Sequence, residues 1–231
     1  SSTMQSGAQI PLWLAILLAM LLQSACFSVL PGVPLRAESC RLYSAKRTGK
    51  SAVCMSSQTS AADMELILKA SKRQEVDSDQ VVQALLRGEQ NARQAKDEEA
   101  DMALLSRLTG SWKLVFTTGE TKTQDAIGGR INFIPDVLGF KAVQAYDIEK
   151  RSIQNGVYLG PLSLVFSGPC TPCKNRRLEF TFDKLQIGPL SIPISAGTDT
   201  KVPPFFTYFE VNDDIAAARG RGGGLALWVR E

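Results

Sequence analysis

The chain has 231 residues, which predicts one or two domains, and its apolar fraction of 44% is typical of a globular protein. The formal charge is +3, but residues 1–60 hold five basic residues and one acid, and the remainder carries 21 basic and 22 acidic residues, a net −1. The body therefore lacks a basic excess for nucleic acid, and the absence of histidine excludes a Ser-His-Asp triad, a Cys-His dyad and a His-ligated metal.

The N-terminal quarter has the composition of a targeting leader. Residues 12–22 form an unbroken apolar run of 11 residues, whereas a membrane-spanning helix needs about 20, so we predict a signal peptide over about residues 4–26. Residues 27–60 are rich in serine, alanine and basic residues and nearly free of acids, as transit peptides are. This order, with Phe27 at the junction, resembles the bipartite leaders of algae whose plastids have extra membranes. An ordinary secreted or membrane-anchored protein is the alternative.

Residues 61–108 have the apolar spacing of helices, and we predict that they form the helical segment of a domain whose strands follow in residues 109–231. The run Asp77-Ser78-Asp79 is expected to supply the N-cap of the second helix, and Gly88 is expected to interrupt that helix. Residues 96–101 are interpreted as a solvated helix face, with a docking surface as the alternative. Apolar residues three or four apart define the three stretches: Met64, Ile67 and Leu68; Val81, Val82, Leu85 and Leu86; Ala100, Leu104, Leu105 and Leu108.

Residues 109–231 have the pattern of short strands. Leu178, Phe180 and Phe182 alternate with polar residues, which is the period of a half-buried strand. Short, turn-rich connections favour antiparallel pairing, so we predict a mainly β fold with an antiparallel barrel of about eight strands around one small ligand. The proline-rich segment 185–204 is expected to pass over the barrel mouth. The candidate strands are 111–118, 140–148, 152–159, 161–167, 176–185, 205–211, 213–218 and 224–230.

Two short signatures bracket this domain. One begins at Gly110 and continues with Trp112, Leu114, Phe116, Thr117 and Thr118; the other comprises Asp214, Ile215, Arg219, Gly220, Gly223 and Leu225. In this order they resemble the plastid lipid-associated protein (fibrillin) family over residues 61–231. The resemblance implies a lipocalin-like barrel, association with thylakoids or plastoglobules, and binding of lipids, carotenoids or quinones without catalytic residues or a cofactor. Ala216 departs from the pattern, because family members often carry arginine there.

The candidate ligand-binding residues are apolar or aromatic side chains expected to face the barrel interior: Trp112, Leu114, Phe116, Phe180, Phe182, Phe206 and Tyr208. A filled barrel core is the alternative for each of them. On strand 205–211, Phe205 and Phe209 are the alternative inward pair. Arg219 is expected either to meet the polar head of a ligand or to form a structural ion pair with Asp213 or Asp214, since a buried arginine needs a partner.

Cys170 and Cys173 form a C-x-x-C motif, which is a possible redox pair. We predict that the motif lies in a loop between two strands, where a structural role or an incidental disulfide is the main alternative. A metal site would need two further ligands from elsewhere.

The glycine-rich segment 220–224 is not a dinucleotide-binding motif, because Leu225 takes the position of its last glycine, and it predicts a hairpin turn instead.

Three functional hypotheses follow. The first is a non-enzymatic plastid protein that binds hydrophobic molecules and attaches to membrane surfaces through exposed apolar loops such as 133–140 or 202–206. The second is a filled barrel that docks to photosynthetic or other plastid proteins through helices 61–108. The third is a thiol redox protein that uses Cys170 and Cys173, or an accessory factor of quinone or carotenoid metabolism.

Overall fold

The computed structural model describes residues 59–95, 97–121, 124–125, 128–134, 139–194 and 202–231. These residues form a mainly β domain with a closed, lipocalin-like barrel of eight antiparallel strands, preceded by three helices, as the sequence predicts. The predicted leader lies outside the described residues except for Thr59 and Ser60. Within the described part of the chain, none of the helices combines the length and hydropathy needed to cross a bilayer.

The barrel closes in the order β4-β3-β1-β11-β10-β9-β6-β5, with β5 returning to β4. Two further pieces lie off this ring: β2 pairs with β1, and β7 and β8 form a hairpin on the side of β5. The strands are β1 (Gly110–Thr117), β2 (Asn132–Phe133), β3 (Phe140–Asp147), β4 (Ser152–Leu159), β5 (Leu162–Cys173), β6 (Arg177–Phe180), β7 (Lys184–Ile187), β8 (Leu190–Pro193), β9 (Phe205–Val211), β10 (Ile215–Gly220) and β11 (Leu225–Arg230).

The helices are α1 (Ala61–Ser71), α2 (Ser78–Gln94) and α3 (Glu98–Ser106). Each begins with a side chain that accepts hydrogen bonds from free backbone amides: Ser60, Asp77 and Asp97. The expectation that Gly88 interrupts α2 is wrong, because the helix continues to Gln94. Gly88 instead lets α2 approach β9 closely, since a β-carbon there would lie 3.3 Å from Thr59 Oγ1 and 3.6 Å from the Phe209 ring.

Two hydrophobic clusters divide the domain into layers. One fills the barrel interior and contains Trp112, Phe206 and Trp228. The other lies between the outer face of the sheet and helices α1 and α2, and it contains Leu85 and Leu227. Successive residues of β10 and β11 alternate between these clusters, which is the two-residue period of a strand buried on both faces.

A bulge in β1 reverses this alternation at Phe116. Leu114 pairs with Trp228 and Phe116 pairs with Leu227, so Val115 is an extra residue on β1. Phe116 therefore lies in the outer cluster, where its ring contacts Phe133 with centroids 5.1 Å apart. The expectation that Phe116 lines the barrel interior is wrong for this reason.

The two ends of the barrel differ. We call the end beside α3 the base: Leu105 and Leu108 are fully buried there, and Trp112 Nε1 donates to the carbonyl of Leu108 at 2.7 Å. A buried ion pair between Arg176 and Asp101, 2.6 Å apart, also joins α3 to the barrel. We call the opposite end, where β4 meets β5 and β10 meets β11, the mouth.

Candidate functional site

Aromatic side chains fill the barrel interior. Adjacent rings lie with centroids 5.3–6.4 Å apart, which is the range of direct aromatic contact. The connected rings are those of Tyr146, Phe166, Phe180, Phe182, Phe206, Tyr208 and Trp228. The predicted residues Trp112 and Leu114 belong to the same interior cluster. The structure thus brings together six of the seven predicted aromatic and aliphatic residues, and they pack against each other.

A hydrogen-bonded pair of tyrosines lies within this apolar interior. Tyr146 Oη donates to Gln144 Oε1 at 2.8 Å, so Tyr208 Oη, 2.7 Å away, donates to Tyr146 Oη. Burial raises the pKa of both phenols, and their mutual proximity contributes to the shift of Tyr146. Both side chains are therefore neutral near pH 7, and both hydroxyl groups have partners.

A small pocket opens at the mouth. Its volume is about 20 Å³, which is enough for a single water molecule. Sites that enclose organic ligands are commonly about 300–1,000 Å³. A carotenoid or quinone would therefore not be enclosed by these walls as they stand. The pocket is lined by Glu120, Phe180, Pro204, Phe205, Phe206, Gly220, Arg221, Gly224 and Ala226.

An apolar surface continues from the barrel interior beyond this pocket. We call residues 162–167 of β5 together with β7 and β8 the mouth flap. Phe166 pairs with Leu185, and Leu185 with Ile192; one step further, Leu164 pairs with Ile187, and Ile187 with Leu190. Because paired residues of an antiparallel sheet share a face, these six side chains form one face, and Phe166 connects it to the barrel core.

The apolar face of the mouth flap is uncovered. Leu162 is 68% exposed, Leu190 58%, Ile187 45% and Ile192 36%. Exposed apolar side chains that are contiguous mark an interaction surface, whereas scattered ones do not. Sequence reasoning missed this surface, although two alternating apolar pairs around Gly188-Pro189 are a hairpin signal. The expectation that segment 185–204 passes over the mouth is wrong for residues 185–193, which form this hairpin on β5; residues 195–201 lie outside the described part.

Arg219 points away from the barrel interior. Its guanidinium forms a bidentate ion pair with Glu89 of α2, with N–O distances of 2.6 and 2.5 Å, and it also donates to the carbonyl of Gly223. An ion pair was predicted, but the proposed partners are wrong, because Asp213 instead pairs with Arg107. Arg219 therefore joins helix, strand and hairpin turn, and it cannot meet a ligand inside the barrel.

Glu89 is the partner that sequence reasoning missed. Its carboxylate is 7% exposed and also accepts from Arg93 at 2.6 Å. Burial raises the pKa of Glu89, but the hydrogen bonds and charges of Arg219 and Arg93 outweigh burial, so the net shift is downward. The available signal was its position, because Glu89 lies four residues after Leu85 on the buried stripe of an amphipathic helix.

The C-x-x-C motif lies on strand β5, so the prediction of a loop is wrong. Cys170 and Cys173 are both buried, and neither forms a disulfide bond. Three residues of extended chain span about 10 Å, and odd spacing directs the two side chains to opposite faces, whereas a disulfide needs α-carbons within about 7 Å. Burial, together with the charge of Asp147, raises the pKa of Cys170 to about 11, which disfavours the reactive thiolate.

The glycines of the closing hairpin allow close packing beside β1. A β-carbon on Gly224 would lie 2.5 Å from the carbonyl oxygen of Gly119, and one on Gly222 would lie 2.3 Å from the Glu120 carboxyl carbon. Gly223 has a φ of +87°, in the region that favours glycine. These positions explain the glycine-rich signature as a turn.

Comparison with protein-family models finds no match, and comparison with curated proteins finds none either. The resemblance to the fibrillin family therefore stays a hypothesis from the sequence motifs. Among the described residues, no group of three or more cysteine, aspartate or glutamate side chains is arranged to hold a metal ion.

Proposed function

We propose that the chain is a non-enzymatic plastid lipid-associated protein that binds lipids or other hydrophobic molecules, such as carotenoids or quinones, at thylakoid or plastoglobule surfaces. Import into a complex algal plastid through the bipartite leader is part of the proposal. The observation that carries it is the asymmetry of the barrel. α3 covers the base, whereas the mouth carries exposed apolar side chains that continue from the core.

The geometry favours contact at the mouth over an enclosed ligand. The aromatic rings occupy the interior, and the pocket at the mouth has a volume of about 20 Å³. The exposed face of the mouth flap does not limit the size of what binds it, because an acyl chain or a membrane surface contacts it from outside. Removing apolar surface from water contributes about 25 cal/mol per Å², so the four exposed apolar side chains of the mouth flap supply a driving force for attachment.

Vesicle flotation tests the proposal. The full chain should carry Trp13→Asp and Leu17→Asp, because the apolar run 12–22 would otherwise supply lipid affinity of its own. This background chain is expected to float with vesicles of uncharged galactolipid. A background chain that stays at the bottom of the gradient would contradict surface binding.

A second candidate function is a filled barrel that docks to photosynthetic or other plastid proteins through its helices. The observation that favours it is the continuous contact among the interior rings, which leaves the barrel a packed core. Leu86 and Met102 are the exposed large apolar residues of the helices, at 36% and 38% exposure. The two candidates therefore use different surfaces of the molecule.

A further inference from the structure

We infer that the mouth flap is a lipid-entering hairpin, and that its partner is the surface of an electrically neutral lipid layer. The inference rests on the proposed function and specifies the contact residues and the class of lipid. The residues that would enter the lipid are Leu162, Ile187, Leu190 and Ile192, which are all exposed. Leu162 shares the apolar face because it lies two residues before Leu164 on β5.

The two faces of the flap have opposite character. The apolar face continues from the barrel core through Phe166. On the other face, Lys184 pairs with Pro193 and Gln186 pairs with Ser191. Such an amphipathic element suits the boundary between lipid and water, because its apolar face contacts acyl chains while its polar face stays among headgroups and water.

The charge of the mouth favours a neutral partner. The segments of the mouth that carry its exposed apolar side chains are residues 159–167, 184–194 and 202–206, and together they contain one basic residue, Lys184, and no acid. The lining of the pocket adds Glu120 and Arg221, one charge of each sign. Surfaces that bind anionic lipids carry clusters of lysine and arginine, which the mouth segments lack. A neutral glycolipid surface requires no such cluster, since apolar contact supplies the affinity.

The backbone of β8 argues against strand addition by a second copy. Among the described strands, β8 pairs with β7 alone, so its other edge is free. The amide of Ile194 donates to the backbone carbonyl of Asp183. Because hydrogen-bonded pairs alternate along an antiparallel ladder, the backbone groups of Ile192 and Leu190 also bond to β7. The free edge is left with Ser191 and Pro193, and proline has no N–H. A single amide donor does not support a regular ladder, which is a common protection of edge strands.

The first test compares two double variants in the background chain. Leu190→Ser with Ile192→Ser should lower the partition coefficient for vesicles of digalactosyl diacylglycerol about 30-fold, because two partly exposed apolar side chains are removed. Leu86→Ser with Met102→Ser, which removes comparable exposed residues from the helices, should leave partitioning within about twofold. Binding of the unaltered background chain should be the same at low and high salt, because no charge pair contributes.

The second test locates the contact in a variant that keeps the apolar surface. The fluorescence of a tryptophan introduced by Leu190→Trp in the background chain should be quenched when the vesicles contain phosphatidylcholine brominated on its acyl chains. The fluorescence of a tryptophan introduced by Met102→Trp should not be quenched. Near-ultraviolet circular dichroism checks that each variant is folded.

The outcomes separate the two proposals. Flotation of the background chain with no effect of the flap variants and no quenching at residue 190 overturns this inference and leaves the proposed function standing. A background chain that does not float overturns both. Dimerisation in solution that is lost with Leu190→Ser and Ile192→Ser, together with no quenching at residue 190, identifies a second copy as the occupant and overturns the lipid partner.

Discussion

The Arg219–Glu89 pair is the residue-scale contact that joins α2 to the barrel. Both carboxylate oxygens bond the guanidinium, and Glu89 is 7% exposed. Replacing Glu89 with Gln should lower the free energy of unfolding by about 2 kcal/mol, because Arg219 loses its charged partner in a largely buried site. Urea unfolding at pH 7 measures this change. The matched control is Arg93→Gln, which removes the exposed partner of the same carboxylate and should cost less than about 0.5 kcal/mol.

The same pair makes stability depend on acid pH. The pKa of Glu89 in the folded chain is below its ordinary value of 4.5. The stabilisation is therefore present above pH 4.5 and is lost as the pH falls through the folded pKa. The difference in stability between wild type and Glu89→Gln should shrink in that range, and a difference that does not change with pH would contradict the assignment.

Cys170 should be unreactive in the native state, and we expect no disulfide bond between Cys170 and Cys173. Burial and Asp147 raise the pKa of Cys170 to about 11, so little thiolate exists at pH 8. Iodoacetamide labelling with mass spectrometry should modify Cys170 in urea and leave it unmodified in the folded chain. A disulfide between Cys170 and Cys173 after mild oxidation of the folded chain would contradict the strand geometry and revive the redox hypothesis.

At the scale of elements, the closing hairpin depends on glycine for steric reasons. Gly224→Ala would place a β-carbon 2.5 Å from the carbonyl oxygen of Gly119, so backbone must move. We expect a loss of about 1–3 kcal/mol in the free energy of unfolding by urea. Gly129→Ala is the control, because no atom lies within 4 Å of its added β-carbon, and its effect should stay within about 0.5 kcal/mol. Equal effects of the two variants would contradict this packing argument.

Much of the element order could be predicted from the sequence, because alternation and turn residues are local signals. Strands β4 and β9 match the predicted ranges, 152–159 and 205–211. The face of Phe116 could not be predicted in the same way. Leu114, Val115 and Phe116 are all apolar, so no polar residue marks the bulge at which the strand changes face.

The C-x-x-C segment shows why proline misleads at a strand edge. Pro172 favours a loop in the sequence, yet it lies in β5 opposite Leu178. β4 begins at Ser152, which pairs with Pro169. Beyond Pro169, β5 therefore pairs with β6 on one side and no longer pairs with β4 on the other. Proline is accepted where its missing N–H faces a free edge.

The site at the mouth was missed because it depends on which strands pair across the ring, which local patterns do not encode.

At the scale of the whole molecule, the helices and the mouth occupy different surfaces. α1 and α2 cover the outer face of β1, β9, β10 and β11, and α3 covers the base. Among the described strands, the large exposed apolar side chains lie on the mouth flap. This separation allows lipid contact and docking through the helices to be distinguished in one experiment.

Hydrogen exchange of the background chain, with and without vesicles of digalactosyl diacylglycerol, tests the central claim most directly, because it reports the contact surface without any substitution in the barrel. Exchange should slow in residues 159–167 and 184–194 and stay unchanged in α1 and α2. Vesicle-dependent protection that falls on the helices, or no protection anywhere, would contradict the account.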